Sequence, residues 1–236
     1  MSVVSTDEPY RIWIIDQFLD EDIVEQIKQD WLPSESEKWS GTRATVGGKE
    51  NILENNMLNI SDPKLMPKFI ASVCKYLHSQ EFTEWLGLKI GVQDLIADET
   101  QRWSGMRVMK RGSFQLIHSD AREHPENGLR KELTCLLYFN DEYEKERDQG
   151  CLEIWNDDMS ERTHEIAPIN NRLVVFENSD TSYHGVPRVE KDRTAITFSI
   201  LKDQASSGRK FAKFVGRPQD SQDINELGAL RAMGDK

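Results

Sequence analysis

Phe114-Gln-Leu-Ile-His-Ser-Asp120 is the stretch that decides the fold, because it combines the alternation of a β-strand with two side chains that bind metals. Alternation places His118 and Asp120 on one face of an extended segment, where both can reach a single metal ion. A lone His-x-Asp is more commonly a surface turn, but His184 follows 66 residues later, which lets the chain cross a double sheet and return. Two imidazoles and one carboxylate leave open positions on a six-coordinate iron(II) ion. We therefore predict a metal site formed by His118, Asp120 and His184.

Arg193, nine residues after His184, begins a strand-like segment, Arg-Thr-Ala-Ile-Thr-Phe-Ser-Ile. Its alternation places Arg193, Ala195, Thr197 and Ser199 on one face. An arginine among small and hydroxyl side chains is a poor core residue but a good receptor for a carboxylate, because its guanidinium donates paired hydrogen bonds. Taken alone, Arg193 is more consistent with a surface ion pair on an edge strand. Beside the predicted metal site, the far carboxylate of a 2-oxo acid becomes the favoured partner, with Thr197 as an additional donor.

Tyr138 is the polar-tipped residue of an otherwise apolar segment, Thr134-Cys-Leu-Leu-Tyr-Phe-Asn140. A tyrosine in such a strand normally has a buried partner for its hydroxyl group. A carboxylate shared with Arg193 is one candidate partner, and a backbone carbonyl is another.

The other histidines serve as internal comparisons. His78 lies in a predicted helix, His124 in a polar loop and His164 in a polar strand. Each is predicted to be solvated or structural. His124 is close enough to His118 in the chain to be the one possible substitute ligand.

Short strand-like runs separated by turn signals fill the chain after about residue 100. They are residues 105–110, 113–118, 132–140, 151–156, 162–167, 172–177, 182–189 and 193–201. This spacing is typical of a β-sandwich or barrel-like fold.

Helices are predicted in front of these strands. The expected elements are a strand at residues 10–15, helices at 20–31, 62–77 and 81–86, and a loop with at most one short strand at 34–60. Helices followed by strands predict an α+β, mainly β fold with the helices packed on one face of an antiparallel double sheet. The predicted organisation has three parts. They are an N-terminal strand and helices at 1–100, a β core at 101–202 that forms one integrated domain with them, and a C-terminal tail at 203–236 that either contains a short helix at 224–233 or is partly disordered.

The composition limits the partners. The 236 residues carry a net charge of −11, which argues against a nucleic-acid backbone or an anionic membrane surface. The N-terminus lacks a signal-peptide pattern, and no segment approaches the roughly 20 apolar residues of a membrane span. Cys74, Cys135 and Cys151 are widely spaced in apolar runs and are predicted to be buried free thiols. We therefore predict a cytoplasmic protein with no nucleic-acid or membrane partner.

The motifs taken together resemble those of a known family. In order they are His118-Ser-Asp120, Thr134-Cys-Leu-Leu-Tyr-Phe-Asn140, Gly150-Cys-Leu-Glu-Ile-Trp155, Arg172-Leu-Val-Val-Phe-Glu-Asn178, Ser182-Tyr-His-Gly-Val-Pro187 and Arg193. Over about residues 105–201 the chain resembles the iron(II)/2-oxoglutarate-dependent dioxygenases, and within them the prolyl-hydroxylase-like branch. Each fragment alone is unspecific, whereas the combination is specific.

The resemblance implies a double-stranded β-helix (jelly-roll) core with supporting N-terminal helices. It implies Fe(II), 2-oxoglutarate and O2 as cofactors, with ascorbate as the reductant in vitro. His118, Asp120 and His184 would be the iron ligands. An aspartate at position 120, where the related halogenases have a small residue, implies hydroxylation and not halogenation.

The same resemblance implies roles for the second group of residues. Arg193 would pair with the distal carboxylate of 2-oxoglutarate, assisted by Tyr138 and Thr197. The chain departs from the family pattern at Met109, where a tyrosine is common in this branch, and at Gly150-Cys151, where a glycine pair is often seen.

We therefore predict an oxidoreductase, a dioxygenase that hydroxylates an unactivated C–H bond and releases succinate and carbon dioxide. Its substrate is a prolyl or other amino-acid residue in a peptide or protein, or a small polar metabolite. Arg107, Arg122, Trp103 and Trp155 flank the predicted ligand strands and are candidates for substrate contact, although packing or surface roles explain each equally well. The alternative is a non-catalytic or otherwise metallated cupin-like jelly-roll binding protein. Such sites group several histidines with a glutamate, and they give Arg193 no acidic co-substrate to bind.

Overall fold

The computed structural model describes residues 2–42, 45–46, 49–205, 208–218, 220 and 227. More of them lie in β-strands than in helices, and the helices are concentrated in the N-terminal part. The helices are α1 (Glu21–Asp30), α2 (Lys68–Leu77), α3 (Gln80–Ile90) and the single turn α4 (Lys145–Asp148).

The strands fall into a leading group and a core group. The leading group is β1 (Ser2–Thr6), β2 (Ile12–Asp16), β3 (Ser40–Gly41), β4 (Thr45–Val46), β5 (Lys49–Glu50), β6 (Glu54–Ile60) and β7 (Leu95–Ala97). The core group is β8 (Gly105–Ser119), β9 (Leu129–Tyr138), β10 (Leu152–Trp155), β11 (Arg162–Ile166), β12 (Arg172–Glu177), β13 (His184–Val186), β14 (Arg193–Ala205) and β15 (Lys213–Phe214).

One curled antiparallel sheet runs in the order β1-β2-β12-β9-β14-β8-β13-β10-β11. The long strand β8 belongs to both halves of it. Its first half, around Val108, pairs with β14, and its second half, at His118, pairs with β13. Strand β8 therefore carries the chain from one layer of a double-stranded β-helix to the other, and the predicted jelly-roll core is confirmed.

The part of the sheet formed by β2, β12, β9 and β14 is buried on both faces. One face packs against α1, α2 and α3 through an apolar cluster that includes Trp13, Phe82 and Phe198. The opposite face lines the interior of the jelly roll with a second cluster, which includes Tyr138 and Phe176. Because successive side chains of a strand point to opposite faces, each strand contributes to both clusters. The interior cluster is the one that surrounds the candidate site.

The predicted helices are present, with changed boundaries. Asp20 is the N-cap of α1, although its side chain makes no capping hydrogen bond. Helix α2 begins at Lys68 and not near residue 62, because Pro67 is held in an extended conformation before it. Helix α3 extends to Ile90, and the hydroxyl of Ser79 caps it by accepting from Phe82 N.

Several sequence predictions of strands were incomplete. The segment at 34–60 was predicted as a loop with at most one short strand. It contains the two-residue strands β3, β4 and β5 and the seven-residue strand β6, whose pairing with β8 overrides its polar composition. The predicted strands 105–110 and 113–118 are one strand, β8, which Gly112 with a φ of 86° bends without ending. The predicted strand 193–201 continues to Ala205. Strands β1, β7 and β15 were not predicted.

The described part of the tail packs on the core. Phe214 of β15 pairs with His118 of β8. Of the helix predicted at 224–233, only Leu227 lies within the described residues. The domain boundaries at residues 100 and 202 remain predictions.

The cysteine prediction is confirmed, since Cys74, Cys135 and Cys151 are free and buried. Among the described residues no helix has the length and apolarity needed to cross a membrane.

Candidate active site

The ligand atoms of His118, Asp120 and His184 all lie within 4.8 Å of one another. Pairing of β8 with β13 puts the two histidines side by side, with ring centroids 4.4 Å apart. Asp120 follows the end of β8, and its Oδ1 lies 3.5 Å from Nε2 of His118 and 3.9 Å from Nε2 of His184. Within the described residues this is the group of histidine and acidic side chains whose geometry suits a metal ion.

Backbone carbonyls fix the orientation of both imidazoles. Nδ1 of His118 lies 2.9 Å from the carbonyl of Leu116, and Nδ1 of His184 lies 2.9 Å from the carbonyl of Ser182. A carbonyl can only accept a hydrogen bond, so each Nδ1 carries the proton and donates it. Each Nε2 therefore directs its lone pair towards Asp120, which is the arrangement that metal-binding histidines need.

Two side chains hold the far oxygen of Asp120. Lys131 Nζ donates to Oδ2 at 2.7 Å, and Thr134 Oγ1 donates to the same atom at 2.9 Å. Oδ1 is left nearest the imidazoles. This asymmetry favours a carboxylate that binds a metal through one oxygen, which keeps the other coordination positions available.

The electrostatics of the site favour a bound cation. Burial and the neighbouring His118 lower the pKa of His184 to about 4, so its imidazole is neutral near pH 7. The charge of Lys131, with contributions from both histidines, outweighs the effect of burial and holds the pKa of Asp120 well below its ordinary value. A neutral imidazole and an ionised carboxylate are the protonation states in which these groups bind metals.

Arg193 lies in the interior cluster, where its guanidinium is buried. Nη2 donates to Tyr138 Oη at 2.8 Å, and Nη1 lies 3.5 Å from Met109 Sδ. Nε is buried without a hydrogen-bond partner, and no carboxylate among the described residues forms an ion pair with this arginine. A buried guanidinium with an unsatisfied donor fits an acidic ligand, because burying an unpaired charge is otherwise costly.

The sequence had left two partners open for the Tyr138 hydroxyl. In the structure this hydroxyl accepts a hydrogen bond from the guanidinium of Arg193, whose Cζ lies 4.7 Å from the centre of the phenol ring. Burial raises the pKa of Tyr138. The phenol therefore stays protonated and can donate its own hydrogen bond to a carboxylate that Arg193 binds.

The metal group and Arg193 are connected through the jelly-roll interior. The ring of Phe176 lies 4.6 Å from that of His184, and Phe176 belongs to the same apolar cluster as Tyr138. Thr197 lies further along β14 on the face that carries Arg193, paired with Gly105 of β8 and Leu136 of β9. Its hydroxyl accepts from Arg107 Nε at 3.4 Å.

The four candidates for substrate contact are placed differently. Arg107 lies beside Thr197 in the interior. Trp103 lies over the ammonium of Lys131, 5.2 Å from its ring centre. Arg122 is in a loop and pairs with Asp180 at 3.1 Å. Trp155 is buried in a separate cluster with Ile117 and Tyr183, whereas its neighbour Ile154 lies in the interior cluster.

The comparison histidines are outside the metal group. His124 is fully buried, with Nε2 3.1 Å from Thr100 Oγ1 and 3.4 Å from Asp98 Oδ1, so it is structural and does not replace a ligand. His78 is buried against Phe198 and its Nδ1 lies 2.7 Å from the carbonyl of Cys74. His164 is partly exposed on β11.

Sequence reasoning missed the residues that support the ligands. Lys131 and Thr134 hold Asp120, and the ring of Phe214 is stacked on His118 with centroids 5.0 Å apart. Arg209 donates to the Asp120 carbonyl at 3.2 Å and to Ser119 Oγ at 2.8 Å. Lys131 stands between Arg130 and Glu132 in the sequence, so nothing in its charged surroundings indicated that it is buried and paired with Asp120.

Residues 104–200, which carry all three ligands and Arg193, match the family model of the 2OG-Fe(II) oxygenase superfamily. The match covers 97 of the 236 residues, and over this segment the chain is similar to that superfamily. The cofactors of the superfamily are Fe(II), 2-oxoglutarate and O2, and the metal group and the acid-receiving Arg193 fit the first two. The oxygenase has no significant match among curated proteins.

Solved structures share the fold of the oxygenase at low sequence identity. A prolyl-4-hydroxylase from Pseudomonas putida is 17% identical, with a TM-score of 0.57, and the match covers 82% of this chain and 93% of that one. A prolyl hydroxylase from Trichoplax adhaerens, solved in complex with a hypoxia inducible factor oxygen degradation domain peptide fragment, is 17% identical with a TM-score of 0.58; 81% of this chain and 84% of that one are covered. A prolyl 4-hydroxylase from Phytophthora capsici is also 17% identical, with a TM-score of 0.53. This match covers 94% of this chain and 68% of that one. These likenesses establish the common jelly-roll fold.

Proposed function

We propose that the oxygenase is a hydroxylase in which His118, Asp120 and His184 bind Fe(II), while Arg193 and Tyr138 bind the distal carboxylate of 2-oxoglutarate. One observation carries the proposal: a His-Asp-His group within 4.8 Å and the buried guanidinium of Arg193, which has no acidic partner among the described residues, face the interior of the same jelly roll. A cupin-like binding protein would explain the metal group and leave the buried Arg193 without a purpose.

Residues around the metal position hold the imidazoles and the Asp120 carboxylate in a fixed orientation. The carbonyls of Leu116 and Ser182 hold the imidazoles so that Nε2 of each faces the metal position. Lys131 and Thr134 restrain Asp120 to binding through Oδ1. The three ligand side chains would hold the metal ion and leave other coordination positions open for the co-substrate and O2.

Arg193 and Tyr138 form the opposite end of the co-substrate site. Arg193 would donate to the carboxylate from Nε, which has no partner, and from Nη2, which would turn away from Tyr138 Oη. The protonated hydroxyl of Tyr138 would add a neutral donor. Met109 occupies the position where a tyrosine is common in this branch, and its thioether contacts Nη1. We infer that this contact replaces the missing hydroxyl in positioning the guanidinium, and that Thr197 takes part in co-substrate binding from the same face of β14.

When bound, the iron and 2-oxoglutarate supply the oxidising power that converts a C–H bond to C–OH with O2, releasing succinate and carbon dioxide. The carboxylate of Asp120 occupies the position that a halide takes in the related halogenases, which is why hydroxylation is proposed. The proposed substrate is a prolyl or other amino-acid residue in a peptide or protein, or a small polar metabolite. A cytoplasmic location is proposed from the three free cysteines.

The direct test is release of succinate from 2-oxoglutarate with Fe(II) and ascorbate, for wild type and for His184→Ala, Asp120→Ala and Arg193→Met. The two ligand variants should lose turnover at every 2-oxoglutarate concentration. Arg193→Met should instead raise the 2-oxoglutarate concentration needed for half-maximal rate by at least tenfold, because a charge-assisted bidentate interaction is lost. Retained turnover in either ligand variant contradicts the metal assignment.

An absorption measurement separates iron and co-substrate binding from turnover. Anaerobic Fe(II) protein should develop a visible charge-transfer band on addition of 2-oxoglutarate. Arg111→Met is the matched control for Arg193→Met, because Arg111 is a largely exposed arginine that pairs with Glu190 at the surface. A protein that binds zinc but shows no affinity for 2-oxoglutarate would support the binding-protein alternative.

A further inference from the structure

Arg107 is a second arginine on the interior face of the jelly roll, and no ion pair joins it to an acidic residue within the described part of the chain. It lies near the start of β8, opposite Ala195 of β14 and Asn59 of β6. Its hydrogen bond is from Nε to Thr197 Oγ1 at 3.4 Å. The guanidinium therefore lies on the face of β14 that also carries Arg193.

The carboxylates nearest to Arg107 are engaged elsewhere. Glu54 and Asp120 are the acidic groups whose charges act on it, and among the described residues neither forms an ion pair with it. Oδ2 of Asp120 binds Lys131 and Thr134, and Oε2 of Glu54 accepts from Gln115 at 3.3 Å. Burial lowers the pKa of Arg107, yet a guanidinium remains charged in proteins. Arg107 is therefore a partly buried cation that no acidic group among the described residues neutralises by contact.

The two interior arginines occupy different levels of the barrel. In the pairing of β14 with β8, Arg193 lies opposite Met109, whereas Arg107 lies opposite Ala195, two residues further along each strand. Two residues of a strand span roughly 7 Å, so the two side chains start from different levels of the interior. Arg193 has Tyr138 and Met109 around it and suits the distal carboxylate of the co-substrate. Arg107 lies on the side of Thr197, and the charge of Asp120 acts on it.

We propose that the substrate of this oxygenase carries its own anionic group, a carboxylate or a phosphate, and that Arg107 binds it beside Thr197. The inference rests on the proposed function and narrows its substrate class. An arginine can bind such a group with two parallel hydrogen bonds, using the Nη atoms that Thr197 leaves available. A free amino acid or another small acid then fits the site better than an internal residue of an uncharged peptide.

The test uses protein loaded with Zn(II), which is redox-silent, and follows binding by calorimetry. With 2-oxoglutarate present, acetate or inorganic phosphate should bind to wild type. Arg107→Met should weaken this anion binding at least tenfold and leave the 2-oxoglutarate affinity within about threefold of wild type. Arg107→Lys should restore part of the anion binding, which also shows that the effect does not come from misfolding.

Arg193→Met should show the opposite pattern, in which 2-oxoglutarate binding is weakened and binding of the second anion is largely kept. If Arg107→Met weakens 2-oxoglutarate binding as strongly as Arg193→Met, then Arg107 belongs to the co-substrate and the inference is wrong. Equal anion binding by wild type and Arg107→Met, or no anion binding by wild type, overturns it as well. Failure of wild type to bind 2-oxoglutarate would instead contradict the proposed function, and the anion titration can still be performed without the co-substrate.

The source of the anion is distinguished by matched pairs of compounds. Succinate release with Fe(II) is compared for free amino acids and their primary amides, and for phosphorylated and unphosphorylated sugars. A carboxylate-bearing substrate predicts stimulation by an amino acid and not by its amide, and a phosphate-bearing one predicts the corresponding difference within the sugar pair. Stimulation of equal size by the charged and neutral members of a pair would contradict the inference.

Discussion

Lys131 Nζ lies 2.7 Å from Asp120 Oδ2, while Oδ1 of the same carboxylate lies nearest the two imidazoles. The lysine side chain is 7% exposed and the aspartate 18%. This is a buried ion pair between a metal-ligand candidate and a cation, so the lysine and a metal ion compete for the charge of one carboxylate. Removing either partner of such a pair is costly, because it leaves the other charge buried and uncompensated.

Lys131→Met should therefore destabilise the metal-free protein by about 3 kcal/mol and increase the stabilisation that Zn(II) provides. The metal ion takes over the role of the lost ammonium, so the rise in unfolding temperature on adding Zn(II) becomes larger than in wild type. Thermal unfolding with and without Zn(II) measures both effects. In the control Lys110→Met, the broken pair with Asp192 is more exposed, and both changes should be small. A zinc-induced increase no larger than that of wild type would count against competition for Asp120.

The pH dependence of stability should report on His184. Its pKa is about 4 in the folded protein and 6.5 for an unperturbed histidine, so the unfolded state binds more protons between these values. Stability of the metal-free protein should therefore fall as pH decreases from 6.5 to 4, by up to about 3 kcal/mol from this residue.

Urea unfolding in the presence of a chelator, repeated across this pH range, measures the effect. His184→Gln should flatten the dependence, because the proton uptake of this group on unfolding is removed. His164→Gln, at a partly exposed histidine of β11, is the control and should keep the wild-type slope. An unchanged slope in His184→Gln would show that other groups cause the acid sensitivity.

Phe214→Ala should weaken metal binding in addition to lowering stability. The ring is 4% exposed and stacks on His118 at an interplanar angle of 27°. Loss of a buried phenylalanine costs about 3 kcal/mol, and loss of a group that orients a ligand typically weakens metal affinity by about tenfold. Phe18→Ala is the matched control, because Phe18 is 7% exposed in the cluster that faces the helices. Calorimetric titration with Zn(II) should separate the two variants, and equal zinc affinities would exclude a positioning role for Phe214.

Gly150→Ala should impair 2-oxoglutarate binding. Gly150 has a φ of 81°, and a Cβ atom there would lie 2.5 Å from Val189 Cγ1 and 3.7 Å from Arg193 Cδ. Val189 would have to move, and the guanidinium would lose its fixed position. Gly91→Ala is the control, since its φ of 72° imposes the same strain while no heavy atom lies within 4 Å of the added carbon. Both variants should lose about 1 kcal/mol of stability, but only Gly150→Ala should raise the dissociation constant for 2-oxoglutarate, by about tenfold. Equal affinities of the two variants for 2-oxoglutarate would show that Gly150 has no role in positioning Arg193.

Alternation along strands predicted part of the site from sequence because it depends only on local geometry. It placed His118 with Asp120, and Arg193 with Thr197, on common faces. It did not reveal the pairing of Lys131 with Asp120, because the β9–β14 pairing shifts register between Ile200 and Leu201 and so changes the direction expected for Lys131. Trp155 was a candidate because it flanks the predicted ligand strands. It packs with Ile117 and Tyr183, whereas the adjacent Ile154 lies in the interior cluster, because adjacent residues of a strand face opposite sides.

Pairing between strands that are distant in sequence explains the remaining differences between the predicted and the observed elements. Strand β6 has a polar sequence and is formed by its partner β8, and β15 has two residues, too few for any periodic pattern. A strand formed by its neighbour has no signal of its own in the sequence. For this reason the contact of Phe214 with His118 could not be predicted, although it joins residues of opposite ends of the core.

The contact of β15 with β8 has a practical consequence for anyone who expresses this protein in parts. The segment that matches the superfamily ends at residue 200, yet Phe214 and Arg209 cover His118 and hold the Asp120 backbone. A fragment cut at the superfamily boundary would retain every ligand and lose the cover over one of them.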